Sequence, residues 1–239
     1  MPVRKPLPLP ELRTDPIPWS PGEHIAVIGT TGTGKTYLMS RLVSYRKYVA
    51  IFRTKADDIK FPGFEQVRDH KAMETLYNHR ILIAPSPPTF LNQARVGGKV
   101  FDTAWRHGGW TLMIDELFYV HKLGLGGYVD MLLTQGRSKR ISVVTGMQRP
   151  VWVTRFALSE VTHIFSFALE RRDRKTIAEL SSEAFAEVTG RIPRYHFAHY
   201  HVPSRTVAVG TADQIDRILQ YRGSADGPMV RSPGRRAPA

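Results

Sequence analysis

Residues 24–36 read HIAVIGTTGTGKT, and this stretch decides the fold. Its apolar run, Ile25–Ile28, is typical of a buried parallel strand. The residues that follow, Gly29–Thr36, match the phosphate-binding pattern G-x-x-x-x-G-K-[ST] at every fixed position. In that pattern the glycines let the backbone turn tightly, so that successive N–H groups converge on phosphate oxygens, and the next helix directs its positive end at the same anion. The stretch therefore predicts a nucleotide-binding protein.

The phosphate loop carries two side chains with predicted chemical roles. Lys35 is expected to reach the β- and γ-phosphates of ATP, and the hydroxyl of Thr36 is expected to hold Mg²⁺. A glycine-rich turn that binds nothing is the alternative, but it would not need a strand before the loop and a helix after it. The predicted loop residues of the nucleotide site are Gly29, Thr30, Thr31, Gly32, Thr33, Gly34, Lys35 and Thr36.

A second stretch, residues 110–120, reads WTLMIDELFYV. Its apolar run predicts a buried strand that delivers Asp115 and Glu116 to the carboxyl edge of the sheet, beside the phosphate loop. There Asp115 would support the Mg²⁺ shell, and Glu116 would polarise the attacking water as a general base. Acidic pairs also follow strands by chance, but a complete phosphate loop in the same chain makes an ATPase the consistent interpretation.

The order of the predicted elements favours a RecA-like (ASCE) P-loop fold, which is an α/β domain with a mainly parallel central sheet flanked by helices. Strands are predicted at 48–52, 80–84, 110–114, 141–145 and 161–169, and a hairpin at 195–209. Helices are predicted at 37–46, 69–79, 89–109 with a loop near 96–99, 128–137, 177–188, and from a capping box of Thr211 and Gln214 onward. An extra strand between the phosphate loop and the acidic pair distinguishes this class from simple nucleotide kinases.

Composition divides the chain into three parts. Residues 1–22 are rich in proline and are predicted to form an extended arm, either disordered or lying on a neighbouring subunit. Residues 23–221 are predicted to form the ATPase domain. Residues 222–239 are dominated by Gly, Pro, Ser and Arg, which predicts a disordered basic tail.

The chain is strongly basic, with 34 Lys and Arg against 21 Asp and Glu and a net charge of +13. This balance fits a polyanionic partner, most simply nucleic acid, although a basic surface kept for solubility is the alternative.

The chain has no cysteine, which excludes disulfides and thiolate metal sites. No apolar run approaches the roughly 20 residues that cross a bilayer, so we expect no membrane association and a cytoplasmic location. Lysines that could grip backbone phosphates are Lys55, Lys60, Lys99, Lys122 and Lys139.

Two local patterns match known motifs only superficially. Residues 54–57 read TKAD, which fits the base-reading motif of GTPases superficially, but in those proteins the motif lies far downstream of the phosphate loop and follows a DxxG switch. His196, His199 and His201 are close in sequence, but alternate residues of a strand face opposite sides and no carboxylate lies nearby. We therefore expect structural histidines here, not a metal site.

Taken together, these motifs resemble the FtsK–HerA superfamily of DNA-pumping ATPases, and especially its small viral genome-packaging ATPases. The resemblance rests on the phosphate loop GTTGTGKT, the run FRTKADD, the acidic pair in MIDE, and the run GRSKRISVVTGMQRP. It implies that Gln148 is a sensor of the γ-phosphate or the attacking water. It also implies that Arg137 is a finger that acts on the neighbouring subunit's nucleotide, with Arg140 and Arg149 as rivals.

The resemblance implies an ATP-driven ring motor, a pentamer or a hexamer, that moves double-stranded DNA into a viral capsid. Such a motor would work in the host cytoplasm and could dock on a portal or capsid vertex. Three alternatives stay open from the sequence. They are an ATPase for another polymer (filamentous-phage assembly, secretion, DNA transfer or helicase loading), a nucleotide-gated binding module that barely hydrolyses, and a small-molecule kinase.

Overall fold

The computed structural model describes residues 12–55, 61–75, 80–152 and 155–221. The strands are β1 (Ile17–Trp19), β2 (Ile25–Ile28), β3 (Val49–Phe52), β4 (Glu65–Val67), β5 (Arg80–Ile83), β6 (Thr111–Ile114), β7 (Ser142–Met147), β8 (His163–Ser166), β9 (His196–His201), β10 (Thr206–Thr211) and β11 (Leu219–Tyr221). The α-helices are α1 (Lys35–Ser44), α2 (Lys71–Thr75), α3 (Phe90–His107), α4 (Leu117–Lys122), α5 (Gly126–Gln135), α6 (Arg155–Ser159), α7 (Arg171–Leu180) and α8 (Glu183–Thr189). Short 3₁₀ helices occupy Gly136–Lys139, Pro150–Trp152 and Ala212–Arg217. No helix within the described ranges is long and apolar enough to span a lipid bilayer.

Within these ranges, nine strands form one sheet in the order β10-β9-β8-β2-β7-β6-β3-β5-β4. Neighbouring strands from β8 to β4 are parallel, whereas β9 and β10 add antiparallel at one edge. β7 lies between β2, which precedes the phosphate loop, and β6, which precedes the acidic pair. This is the extra strand expected of the RecA-like class. The predicted fold, a mainly parallel central sheet flanked by helices, is confirmed.

The parallel strands are buried because helices cover both faces of the sheet. Ile25 and Val27 of β2 pack in the layer that contains α1, and Ala26 and Ile28 pack in the layer that contains α3, α5 and α7. Burying aliphatic side chains of this size stabilises the fold by roughly 1.5–3 kcal/mol each. Because these strands are parallel, the loops that follow them all emerge at the carboxyl edge of the sheet.

Residues 12–22, predicted to belong to an extended arm, instead pack against the rest of the chain. β1 pairs in parallel with β11, and Trp19 is 1% exposed. The guanidinium carbon of Arg46 lies 3.8 Å from the ring centroid of Trp19, so apolar burial and a cation–π contact hold this segment. Residues 1–11 and the predicted tail, 222–239, lie outside the described residues and stay predictions.

The predicted loop near residues 96–99 is wrong, because α3 is continuous through Gly97 and Gly98. A Cβ atom at Gly97 would lie 2.6 Å from Cδ1 of Leu125 and 2.8 Å from Cζ of Phe52. Glycine is therefore needed for close packing of the helix against the sheet and α5, not for a turn. Sequence pattern alone does not separate these two uses of glycine.

Two other helix predictions are wrong in extent. The single helix expected at 177–188 is two helices, α7 and α8, because the hydroxyl of Ser182 accepts the N–H of Phe185 and starts a new helix. The capping box of Thr211 and Gln214 is confirmed, but it begins a 3₁₀ helix that leads into β11. β1 supplies the strand edge on which β11 forms. The sequence did not predict the short elements β4 and α4.

Candidate nucleotide-binding and catalytic site

The phosphate loop joins β2 to α1 in a conformation that its glycines permit. Gly32 and Gly34 have φ of +79° and +100°, in the left-handed region that favours glycine. A Cβ atom at Gly29 would lie 2.7 Å from Oγ1 of Thr33. The hydroxyl of Thr33 donates to the carbonyl of Thr30 at 2.8 Å and closes the loop on itself. The backbone amides at the start of α1 receive no side-chain cap, so an anion can accept from them.

Lys35 and Thr36 extend from the first turn of α1 toward the acidic pair after β6. Lys35 is only 6% exposed, and burial lowers the pKa of its ammonium group, while Asp115 and Glu116 oppose that shift. The hydroxyl of Thr36 donates to Oδ1 of Asp115 at 3.0 Å. A hydroxyl and a carboxylate in contact are hard oxygen ligands of the kind that Mg²⁺ prefers, so these two residues fit the predicted ion.

Glu116 lies at the same edge of the sheet and is the N-cap residue of α4. The side-chain amide of Gln148, after β7, donates to Oε2 of Glu116 at 2.8 Å. Burial raises the pKa of the Glu116 carboxyl, whereas the hydrogen bond from Gln148 and the charges of Lys55 and Lys35 lower it. The structure thus brings the predicted base and the predicted sensor into direct contact.

Lys55, predicted as a DNA contact, lies in this site. Its Nζ is 3.4 Å from Oδ2 of Asp115 and 3.9 Å from Oε2 of Glu116. Lys55 reaches the acidic pair because β3 and β6 are parallel neighbours, so the residues that follow the two strands lie side by side at the carboxyl edge of the sheet. A cleft of about 410 Å³ opens in front of these groups and is lined by Thr54, Lys55, Glu116, Phe118, Tyr119 and Gln148.

A second cleft, of about 290 Å³, lies on the other side of the phosphate loop. Its aromatic members are Tyr37, Phe167 and Tyr195, and the hydroxyl of Tyr37 donates to Oδ1 of Asp213 at 2.7 Å. Tyr195 is 54% exposed and has φ of +63°. Sequence analysis missed this cleft because its members come from four distant segments. The positive φ and exposure of Tyr195, which would have drawn attention to it, exist only in the folded chain.

Several predicted residues do not join the site. Arg137 and Arg140 precede β7 and lie at the amino edge of the sheet, opposite the phosphate loop. Arg149 lies at the carboxyl edge, but its guanidinium pairs with Glu170 and Asp173 at N–O distances of 3.7 and 3.9 Å.

The remaining lysines predicted to contact DNA are scattered. Lys99 lies on α3, Lys122 ends α4 and Lys139 ends a 3₁₀ helix. The ammonium groups of Lys122 and Lys139 lie 5.2 and 4.8 Å from the ring centroids of Phe118 and Trp105. Lys60 lies outside the described residues.

This fold and this site make the chain a RecA-like P-loop ATPase. No protein-family model matches the chain. It is similar to the DNA packaging ATPase P9 of Enterobacteria phage PRD1, with 28% identity over 221 aligned residues that cover 79% of this chain and 86% of that protein.

Solved structures share the fold. The genome packaging NTPase B204 of Sulfolobus turreted icosahedral virus 2, in complex with ATP-gammaS, superposes with a TM-score of 0.65 at 17% identity, covering 81% of this chain and 98% of B204. The pCW3 conjugation coupling protein TcpA gives a TM-score of 0.54 at 16% identity, covering 79% of this chain and 59% of TcpA. The predicted resemblance to small viral genome-packaging ATPases is confirmed by the similarity to P9, and the solved structures confirm the fold.

Proposed function

We propose that this chain is the motor subunit that uses ATP hydrolysis to move double-stranded DNA into a viral capsid. One observation carries the proposal. The complete constellation of Lys35, Thr36, Asp115, Glu116 and Gln148 lies at one sheet edge, in a chain similar over most of its length to a phage packaging ATPase.

Each residue of the site has a role in phosphoryl transfer. When bound, Mg²⁺ would supply charge compensation to the β- and γ-phosphates, with Thr36 and Asp115 to hold it. Lys35 places a buried positive charge beside the same phosphates. Glu116 accepts a proton from the attacking water, and the amide of Gln148 holds the Glu116 carboxylate in position for that step.

The aromatic cleft beside Gly34 supports binding of the adenine base. A Cβ atom at Gly34 would lie 3.6 Å from Cε1 of Phe167 and 3.7 Å from Cδ1 of Tyr195, so both rings border the loop that takes the phosphates. A base that enters this cleft can stack on an aromatic face, and Asp213 lies within reach as a hydrogen-bond acceptor.

A ring assembly is part of the proposal, as a pentamer or a hexamer. Arg137 lies at the sheet edge opposite its own phosphate loop, so a role for it in hydrolysis requires a neighbouring subunit. A finger supplied from a neighbour stabilises transition-state charge and makes hydrolysis depend on assembly. We further propose that the ring docks on a portal or capsid vertex in the host cytoplasm, and that the net charge of +13 serves the contact with DNA.

The test is steady-state ATPase activity of the full chain, with and without double-stranded DNA, over a range of protein concentrations. We expect turnover per subunit to rise with concentration, because the finger acts between subunits, and to rise again with DNA. Lys35→Ala supplies the background for each condition. Turnover that responds to concentration but not to DNA would point to an ATPase for another polymer, and turnover indifferent to both would overturn the ring motor as a whole.

A further inference from the structure

Helix α7 begins with the sequence RRDRK, which places four basic residues in its first two turns. Arg171, Arg172 and Lys175 are exposed, and Arg174 is partly buried. The acid in this run, Asp173, is 1% exposed and faces Arg149. The four cations of α7 therefore share one solvent-accessible region, which we call the α7 basic surface.

Among the described residues, none of these four cations has a carboxylate partner within ion-pair distance, although other arginines nearby do. Arg149 pairs with Glu170 and Asp173, and Arg191 pairs with Glu187. Several like charges held close together without ion-pair partners repel one another, and a bound polyanion would relieve that repulsion. The arrangement thus indicates a binding function more than a structural one.

The α7 basic surface borders a cleft of about 960 Å³ between α7 and α8. One wall carries Arg171, Arg172, Arg174, Lys175 and Ala178, and the other carries Glu183, Ala186 and Glu187. The pairing of Glu187 with Arg191 offsets its charge, so the cleft stays positive overall. The positive end of the α7 dipole adds to the field over its first turn.

The position of α7 links this surface to the catalytic edge. Phe167, which follows β8 and lines the cleft beside Gly34, lies four residues before the helix. Arg149 follows Gln148 directly and reaches Glu170 and Asp173 at the start of α7. A short chain of contacts therefore connects Glu116 and Gln148 to the start of α7.

We propose that the α7 basic surface contacts backbone phosphates of double-stranded DNA, and so is where the motor holds its cargo. Guanidinium groups bind phosphate oxygens in pairs through a planar fork, and such contacts carry no base specificity, as a packaging motor requires. This inference rests on the proposed function. It differs from the prediction made from the sequence, which named five dispersed lysines: Lys55, Lys60, Lys99, Lys122 and Lys139.

The experiment compares two triple variants of the full chain that remove the same charge. The first is Arg171→Gln, Arg172→Gln, Lys175→Gln, which keeps good helix formers on an exposed face. The matched control is Lys99→Gln, Lys122→Gln, Lys139→Gln. Binding of a short DNA duplex of random sequence is followed by fluorescence anisotropy at several salt concentrations, and thermal melting checks that each variant is folded.

For wild type, log K against log salt should be linear with a slope set by the number of phosphates contacted. Each lost phosphate contact reduces the magnitude of this slope by about 0.9. The magnitude should therefore fall by between ~2 and ~3 in the α7 variant, and by less than ~1 in the control variant. Arg171→Lys, Arg172→Lys keeps the charges and should keep the slope, which separates loss of phosphate contacts from a local change in the helix.

Two results would overturn the inference, and they are distinguishable. If wild type binds duplex DNA and the α7 variant keeps the full slope, the α7 basic surface is not the DNA contact while the proposed motor function stands. If wild type shows neither salt-dependent binding nor DNA-stimulated turnover, the proposed function fails together with the inference. In the first case, an α7 variant that no longer sediments with empty capsids would reassign the surface to an acidic protein partner.

Discussion

The side-chain amide of Gln148 donates to Oε2 of Glu116 at 2.8 Å, across the boundary between β7 and β6. The two residues are 32 positions apart in the chain and meet because each lies within two residues of the end of one of two neighbouring parallel strands. We propose that Gln148 holds Glu116 in one orientation and also senses the atom on which Glu116 acts. The proposed base and the proposed sensor would then move together.

Glu116→Gln should bind ATP but hydrolyse it at least ~100-fold more slowly, because the amide cannot accept a proton from water. Binding measured by calorimetry and turnover measured by phosphate release give the two halves of this prediction. Asp102→Asn, a change of the same chemical kind at a partly exposed position of α3, serves as control. Turnover close to wild type would remove Glu116 as the base.

Lys35→Ala should abolish hydrolysis, with a loss of roughly 1000-fold or more, since a buried cation beside the phosphates is removed. The measurement is phosphate release at saturating ATP. Lys99→Ala removes an exposed lysine from α3 and should leave turnover near wild type. Residual activity well above background in Lys35→Ala would contradict the assignment of the phosphate loop.

Lys55→Ala should lower turnover by roughly tenfold or more while leaving the salt dependence of DNA binding unchanged. The reason is that Nζ of Lys55 lies beside both Asp115 and Glu116, where it offsets their mutual repulsion. Lys55→Arg keeps the charge and should recover part of the rate. If instead Lys55→Ala keeps full turnover and loses DNA affinity, the original assignment of Lys55 to DNA is the better one.

In rings that mix Arg137→Ala and wild-type subunits, ATP turnover should fall more steeply than the fraction of wild-type subunits. If Arg137 acts on the neighbouring active site, its loss disables a neighbour that is itself wild type. The rate at that site can fall by about 1000-fold. The measurement is turnover at a series of ratios of variant to wild type. Arg140→Ala and Arg149→Ala, tested the same way, decide among the three candidates. A loss strictly proportional to dose would count against action between subunits.

His24 predicts a specific dependence of stability on pH. Burial lowers its pKa from 6.5 to about 4, so between these values the unfolded chain binds a proton that the folded chain does not. The free energy of unfolding should fall as pH is lowered through this window, by on the order of 3 kcal/mol from His24. Burial also lowers the pKa of His163 and His199, which adds to the fall.

The check is urea unfolding at the two ends of that window. His24→Asn keeps an acceptor for the N–H of Val143, which Nδ1 of His24 accepts at 3.1 Å, and should reduce the pH-dependent loss. His196→Asn, at a partly exposed position on β9, is the matched control. Equal pH dependence in both variants and wild type would show that His24 does not carry this linkage.

The sequence by itself determined the parts of the molecule whose chemistry is local. A phosphate loop binds through its own backbone and its own Lys35 and Thr36, so residues 29–36 specify it without reference to any distant segment. The apolar runs before the loop and before Asp115 and Glu116 predict buried parallel strands for the same reason. From these runs and their order, the RecA-like sheet could be predicted.

Only the tertiary structure decided which distant residues share the site. Strand order places β3 beside β6 and so brings Lys55 to the acidic pair, and it leaves Arg137 at the far edge. It also assembles the aromatic cleft beside Gly34 and exposes the basic start of α7. Neighbours across a sheet depend on how the whole chain packs, because pairing of parallel strands is set by crossover connections and core burial and leaves no periodic signal in sequence.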